Sequence, residues 1–285
     1  MIPASFDYLR AGSLRDALTA LAAGDGTKVL AGGHSLLPMM RFRLAQPPRL
    51  VDVAGLAELQ GIKEHRRGAR IGAGTTYRDL LQSEFLRDRF PILAECAEHI
   101  GDRQVRNRGT IGGGLAHADP ASDMPAVMLA LDATFNLRSK RGRRSVQARE
   151  FFLGPFSTAL AQDELLIDIV LPPLPKGAGA AYVSQEQAAS GYPLAGAAVV
   201  VARTRRTMSY ASAAFAGVGD MPRLIRSTDL LLGTKAEPET VDKVVTAALE
   251  GIEVTGDIHA PVEYRRHLAT VMLRRALETA LERAR

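Results

Sequence analysis

Near the start of the chain the apolar positions change period repeatedly. Leu14, Ala17, Leu18 and Leu21 recur at helical spacing behind Ser13, a good N-cap residue, and Gly24-Asp25-Gly26 ends the run. Lys28-Val29-Leu30-Ala31 reads as a short buried strand, Leu36 to Phe42 as a helical turn, and Arg49 to Val53 as a second strand. Together they predict a small β-α-β arrangement over residues 5–55. Ala69 to Ala73 is strand-like, and Thr76 is a cap for a helix running through Leu80, Leu81 and Leu86. Pro91 to Ile100 predicts another helix, with Ile92, Leu93 and Ala97 apolar. Gly101 to Asp123 is rich in glycine and reads as irregular. Pro125 to Leu131 is apolar and helical. Thr134 to Arg138, Phe151 to Leu153 and Leu165 to Leu171 are strand candidates.

Pro172-Pro173-Leu174-Pro175-Lys176-Gly177 is the clearest linker. Beyond it, residues 178–220 are strand-rich, with apolar runs at Ala195 to Arg203 and Ser209 to Val218. Residues 223–250 predict two helices, the first carrying Leu224, Leu230, Leu231 and Leu232, the second Val241, Val244, Val245 and Leu249. Residues 261–283 predict a long amphipathic helix with Tyr264, Leu268, Val271, Met272, Ala276 and Leu277 on one side. This pattern is α+β, and its boundaries suggest units at 1–55, 56–175 and 178–285.

Composition narrows the chemistry. With 285 residues, 46% hydrophobic and 24% charged, the chain can bury a core. It has one cysteine, Cys96, in an apolar helical context, which excludes an intrachain disulfide, a cysteine-based zinc ribbon and a self-contained iron–sulfur cluster. The net charge of +5 is mild. The densest basic run, Arg138 to Arg144, carries no interleaved aromatic residue and reads as a hairpin tip, so no nucleic-acid partner is expected. No apolar run reaches the ~18–20 residues of a membrane helix, and Met1 to Phe6 does not look like a signal peptide. The expected location is a reducing cytoplasm.

Two glycine segments stand out: Ala31-Gly32-Gly33-His34-Ser35 and Thr110-Ile111-Gly112-Gly113-Gly114. Adjacent glycines cost conformational entropy on folding, so they serve a tight turn or a close approach of the backbone to an anion. Neither segment matches G-x-G-x-x-G or G-x-x-x-x-G-K-[ST]. Two such loops, each flanked by a hydroxyl residue, suit the two phosphates of a pyrophosphate. His117, Asp119 and Asp123 fall in a proline-broken stretch without a partner cluster, so no metal site is expected. Asp123 reads as an N-cap for the following helix. No nucleophile–base pair is legible, so no catalytic residue is assigned to the chain.

These residues resemble the medium, FAD-binding subunit of molybdenum hydroxylases, the group that includes carbon monoxide dehydrogenase and xanthine dehydrogenase. The matching pieces are Ala31 to Pro38, Ile100 to Gly113, the run His117 to Asp123, and the C-terminal Gly256 to Ala260 with Tyr264 to Leu268. The resemblance covers essentially the whole chain. It implies two N-terminal α/β subdomains clasping FAD in the PCMH/VAO-type fold, then a small C-terminal α+β domain with an antiparallel sheet. It further implies that Leu30, Ala31, Gly32, Gly33, His34, Ser35 and Leu36, with Ile100 and Thr110, Ile111, Gly112, Gly113 and Gly114, hold the dinucleotide, chiefly through backbone amides. By the same resemblance Asp123 lies on the ribose–adenine side, Leu166 runs along the flavin, and Tyr192 packs near its ring. Two departures are visible. Gly114 stands where many relatives have Asn or Ser, and Ser184 to Pro193 lacks the Lys or Arg that relatives often carry there.

The resemblance implies an oxidoreductase role in electron transfer. Electrons reach FAD from iron–sulfur clusters on a small partner subunit, after substrate oxidation at a molybdenum cofactor on a large one, in a dimer of heterotrimers. FAD is the only cofactor expected on this chain. A stand-alone flavin oxidase and a cofactor-free binding module remain the rival readings, and Arg103, Arg106 and Arg108 are open to pairing with pyrophosphate, a partner surface or solvent.

Overall fold

The computed structural model describes residues 2–285. At the N-terminal end, strands Asp7–Arg10, Arg49–Asp52 and Lys28–Leu30 form a three-stranded parallel sheet, with Arg49–Asp52 central. Ser13 caps the helix Leu14–Leu21 by accepting from the Asp16 amide, and Leu14, Ala17, Leu18 and Leu21 pack beside Val51 and Val53. The strand Asp7–Arg10 is not evident in the sequence pattern because all four of its residues are exposed. It is held by backbone pairing and by the Tyr8 hydroxyl, which donates to Asp52.

The middle of the chain builds a five-stranded antiparallel sheet in the order Ile62–His65, Gly68–Gly72, Leu165–Leu171, Thr134–Arg138, Arg143–Gln147. Its central strand carries the buried Asp168, which pairs with Arg70 on one neighbouring strand and accepts from Asn136 on the other. Both partners are supplied across the sheet, so the carboxylate is buried without being orphaned. The basic hairpin tip is tied down as well: Arg144 forks onto Glu164 and Arg141 reaches Asp163.

Three readings of this region are corrected. The expected helix from Thr76 through Leu86 is two helices, Tyr77–Gln82 and Glu84–Arg89, because the Ser83 hydroxyl accepts from the Leu86 amide and starts a new one. The stretch 101–123 is not irregular: it contains the helices Arg103–Arg108 and Ile111–His117, N-capped by Asp102 and Thr110. Caps and tertiary packing there outweigh the intrinsic cost of three glycines in a helix. Asp123 makes no capping bond to the helix Met124–Ala130.

At the C-terminal end, strands Gly179–Glu186, Pro193–Thr204, Thr207–Ala216 and Arg223–Leu224 form a four-stranded antiparallel sheet. Both faces are covered, which is why its apolar runs are continuous. Tyr182, Ala198, Val200 and Ala214 join the core around the fully buried helix Met124–Ala130. Ala197, Val199, Val201 and Phe215 face the other way, onto the long helix Val262–Arg283. Two expectations fail at the periphery. The leucine-rich segment after 223 is a short 3₁₀ turn, Arg226–Leu231, in which Leu231 is buried while Leu224, Leu230 and Leu232 are exposed. Tyr264 also faces outward. Arg265 is buried instead, donating to the Gly217 carbonyl and to Asp257, whose other oxygen accepts from the His259 and Ala260 amides. No described helix is long and apolar enough to cross a membrane.

Candidate functional site

A cleft of about 710 Å³ runs between these parts. Lys28 to Leu36 line one side, Ala73, Gly74, Tyr77 and residues from Ile100 to Asp123 line another, and Phe156 to Leu166 with Ser190 to Tyr192 complete it. The volume falls within the ~300–1,000 Å³ of small-molecule sites. Of the candidate residues, every one but Ile111 lines this cleft. Ile111 is fully buried because it turns its side chain into the core opposite.

The two glycine segments meet there. A side chain at Gly32 would overlap the Arg108 carbonyl and lie 2.8 Å from the Gly109 Cα, so this glycine lets the two segments touch. Gly33 has φ +79°, a left-handed turn that glycine takes without strain. Among the described residues, the amides of Gly32, Gly33, His34, Ser35 and Leu36 donate to nothing in the chain, and the Ser35 hydroxyl caps nothing. His34 braces the turn through Nδ1 and the Gly32 carbonyl, 3.0 Å apart. A row of unpaired donors on the wall of a cleft is an anion cradle.

The second segment differs. The Ile111 amide donates to Thr75, Gly112 to Ala73, and Gly114 to Thr110, while Gly113 donates to the Thr110 hydroxyl. Its glycines serve close packing. A side chain at Gly112 would lie 2.6 Å from the Ala73 carbonyl oxygen, and one at Gly114 would overlap the Tyr77 hydroxyl.

Charge does little to draw an anion in. Lys28 is the only lysine on the lining, no arginine reaches it, and Asp119, Asp123 and Glu164 are present. Arg106, open to several roles from sequence, donates to the carbonyls of Glu98, Ile100 and Gly101 and so closes the end of the preceding helix. Asp123 is buried and accepts from the Tyr182 hydroxyl. Burial pushes its carboxyl up to about 7, against the pull of Tyr182 and His99 toward the ionised form. Burial lowers the His117 pKa, with Asp119 opposing it. Cys96 is buried and its thiol is pushed up by burial, which suits a core residue and not a nucleophile. Tyr192 is half-exposed at the cleft mouth.

Sequence reasoning missed Tyr77 and the segment from Phe156 to Glu164. Neither carries a local signal; each reaches the cleft only through the packing of the five-stranded sheet and its helices.

Comparison with known proteins agrees with this geometry. The family described as "FAD binding domain in molybdopterin dehydrogenase" matches residues 4–174, and "CO dehydrogenase flavoprotein C-terminal domain" matches residues 180–280. The chain is 40% identical to the carbon monoxide dehydrogenase medium chain of Afipia carboxidovorans, with 100% of each covered. It is 37% identical to the glyceraldehyde dehydrogenase medium chain of Sulfolobus acidocaldarius, covering 98% of this chain and 99% of that one. It also superposes on a chain of the carbon monoxide dehydrogenase of Hydrogenophaga pseudoflava, solved in a form lacking the Mo-pyranopterin moiety, with a TM-score of 0.97 at 39% identity and 100% of both chains covered. The unpaired amides, the three-sided cleft and these full-length matches lead to one conclusion: this chain belongs to the FAD-binding family of the molybdopterin dehydrogenases, the oxidoreductase flavoproteins of the carbon monoxide dehydrogenase type.

Proposed function

We propose that this chain is the electron-transfer subunit of a molybdenum-containing hydroxylase or dehydrogenase. It accepts electrons from iron–sulfur clusters on a small partner subunit, and substrate is oxidised at a molybdenum cofactor on a large one. Bound FAD supplies the redox chemistry, and this chain supplies its binding, orientation and electrostatic setting. The unpaired amides of Gly32 to Leu36 carry this reading: donors held on the cleft wall with no acceptor in the chain fit the pyrophosphate of a dinucleotide. Gly112 to Gly114 offer a stretch of wall free of side chains against which the ligand can lie close. Leu30, Ile100, Leu166 and Tyr192 supply apolar surface, and Asp123 a hydroxyl-binding carboxyl. The division into 1–55, 56–175 and 178–285 belongs to this proposal, with the first two parts clasping FAD. So do assembly as a dimer of heterotrimers and a cytoplasmic location. The single cysteine supports the need for partners, because a chain that owns no cluster receives its electrons from another.

Purified full-length chain is expected to bind FAD at micromolar concentration, with a visible flavin spectrum and quenched or shifted flavin fluorescence. Absence of binding, both alone and when co-expressed with the small and large subunits, would defeat the proposal. Turnover with oxygen by the isolated chain on an organic substrate would favour a stand-alone oxidase instead.

A further inference from the structure

Tyr77 has no part in the sequence expectations, yet its position is unusually constrained. Its backbone amide donates to the Gly109 carbonyl at 3.1 Å, and the adjacent Thr76 bridges Thr110, so the residue is fastened to the second glycine segment. Its ring lies along that segment. A side chain at Gly109 would lie 3.2 Å from the ring edge, and one at Gly114 would overlap the hydroxyl. Only 5% of the residue is exposed, and it lines the cleft. Among the described residues its hydroxyl has no hydrogen-bond partner, whereas the comparably buried Tyr182 hydroxyl donates to Asp123. The hydroxyl therefore stands at the wall of the cleft as a donor that no acceptor in the chain satisfies, open to an acceptor that arrives with a ligand.

We infer that the Tyr77 hydroxyl donates a hydrogen bond to the bound FAD, and that Gly114 is glycine so that this hydroxyl can stand at the cleft wall. The inference rests on the reading of the cleft as an FAD site and adds a side-chain donor to the amide row. Burial, reinforced by Cys96, Asp123 and Tyr192, pushes the phenol pKa up, so the group remains a donor across the working pH range.

The test is FAD titration of the full-length chain, stripped of flavin, followed by flavin fluorescence. Tyr77→Phe keeps the ring and removes only the donor, and it is expected to raise the FAD Kd about three- to tenfold. Without FAD, its melting temperature is expected to be nearly unchanged, because the hydroxyl stands at the cleft wall and makes no hydrogen bond within the chain. Gly114→Ala, which displaces the hydroxyl, is expected to weaken FAD binding in the native background. It should do so far less in the Tyr77→Phe background, where the nearest ring carbon, Cζ, lies 3.5 Å away. Equal FAD affinity of wild type and Tyr77→Phe overturns the inference while leaving the FAD reading intact. Additive effects of the two substitutions overturn the stated role of Gly114. A wild-type chain that binds no FAD, alone or with its partner subunits, removes the FAD reading and this inference with it.

Discussion

The two glycine segments look alike in sequence and do opposite things. In Gly32 to Leu36 the backbone donors are free on the wall of the cleft, so the segment is built for something outside the chain. In Ile111 to Gly114 every donor is bonded to the chain, and the missing side chains make room for Ala73, Tyr77 and the neighbouring backbone. A run of glycines therefore signals close approach, but it does not say whether a ligand or the protein itself approaches. The partners of the amides decide that.

The comparison predicts a graded series of effects. The largest belongs to Gly112→Ala, whose added methyl meets the Ala73 carbonyl oxygen at 2.6 Å. Overpacking of this kind costs about 1–3 kcal/mol, or roughly 2–5 °C of melting temperature for a chain of this size. The loss is expected in differential scanning calorimetry without FAD, and a variant as stable as wild type would break the packing half of the comparison. Gly33→Ala comes next. The left-handed backbone at φ +79° costs a side chain about 1–2 kcal/mol and tilts the free amides. FAD affinity should fall about tenfold, with a smaller thermal loss than Gly112→Ala because the segment is half-buried. Unchanged affinity would contradict the amide cradle.

Asp123 sharpens the contrast by pH. Its folded pKa of about 7 lies above its unfolded value, so the protonated form stabilises the fold. That contribution is complete below about pH 4 and is lost as the pH rises to about 7. The melting temperature of wild type relative to Asp123→Asn should therefore decline across that window, and a flat difference would show that the carboxyl does not titrate there. The smallest effect is expected for Ser35→Ala. Its hydroxyl caps nothing, so thermal stability should change by no more than about 0.5 kcal/mol, while FAD affinity falls about two- to fivefold.

Elements with a strong local period were legible in the sequence: the helix behind Ser13, the strands Lys28–Leu30 and Leu165–Leu171, and the long C-terminal helix. Elements held by partners were not. The exposed strand Asp7–Arg10 exists through pairing with Arg49–Asp52, and the helix Ile111–His117 exists despite its glycines because Thr110 caps it and Ala73 packs against it. In the site, the first segment could be read because its function lies in its own backbone. Tyr77 could not, because nothing near it in sequence shows where its hydroxyl points.

The order of apolar and polar positions, with its turns and caps, already determined an α+β chain, a family resemblance and a dinucleotide-type loop, because these depend on interactions between residues close in sequence. Which glycines face a ligand, which carboxyl is buried beside Tyr182, and how the C-terminal sheet shares its core with the middle of the chain were decided only in three dimensions. Hydrogen-bond partners and desolvation arise from residues far apart along the chain, and they exist only once the chain is packed.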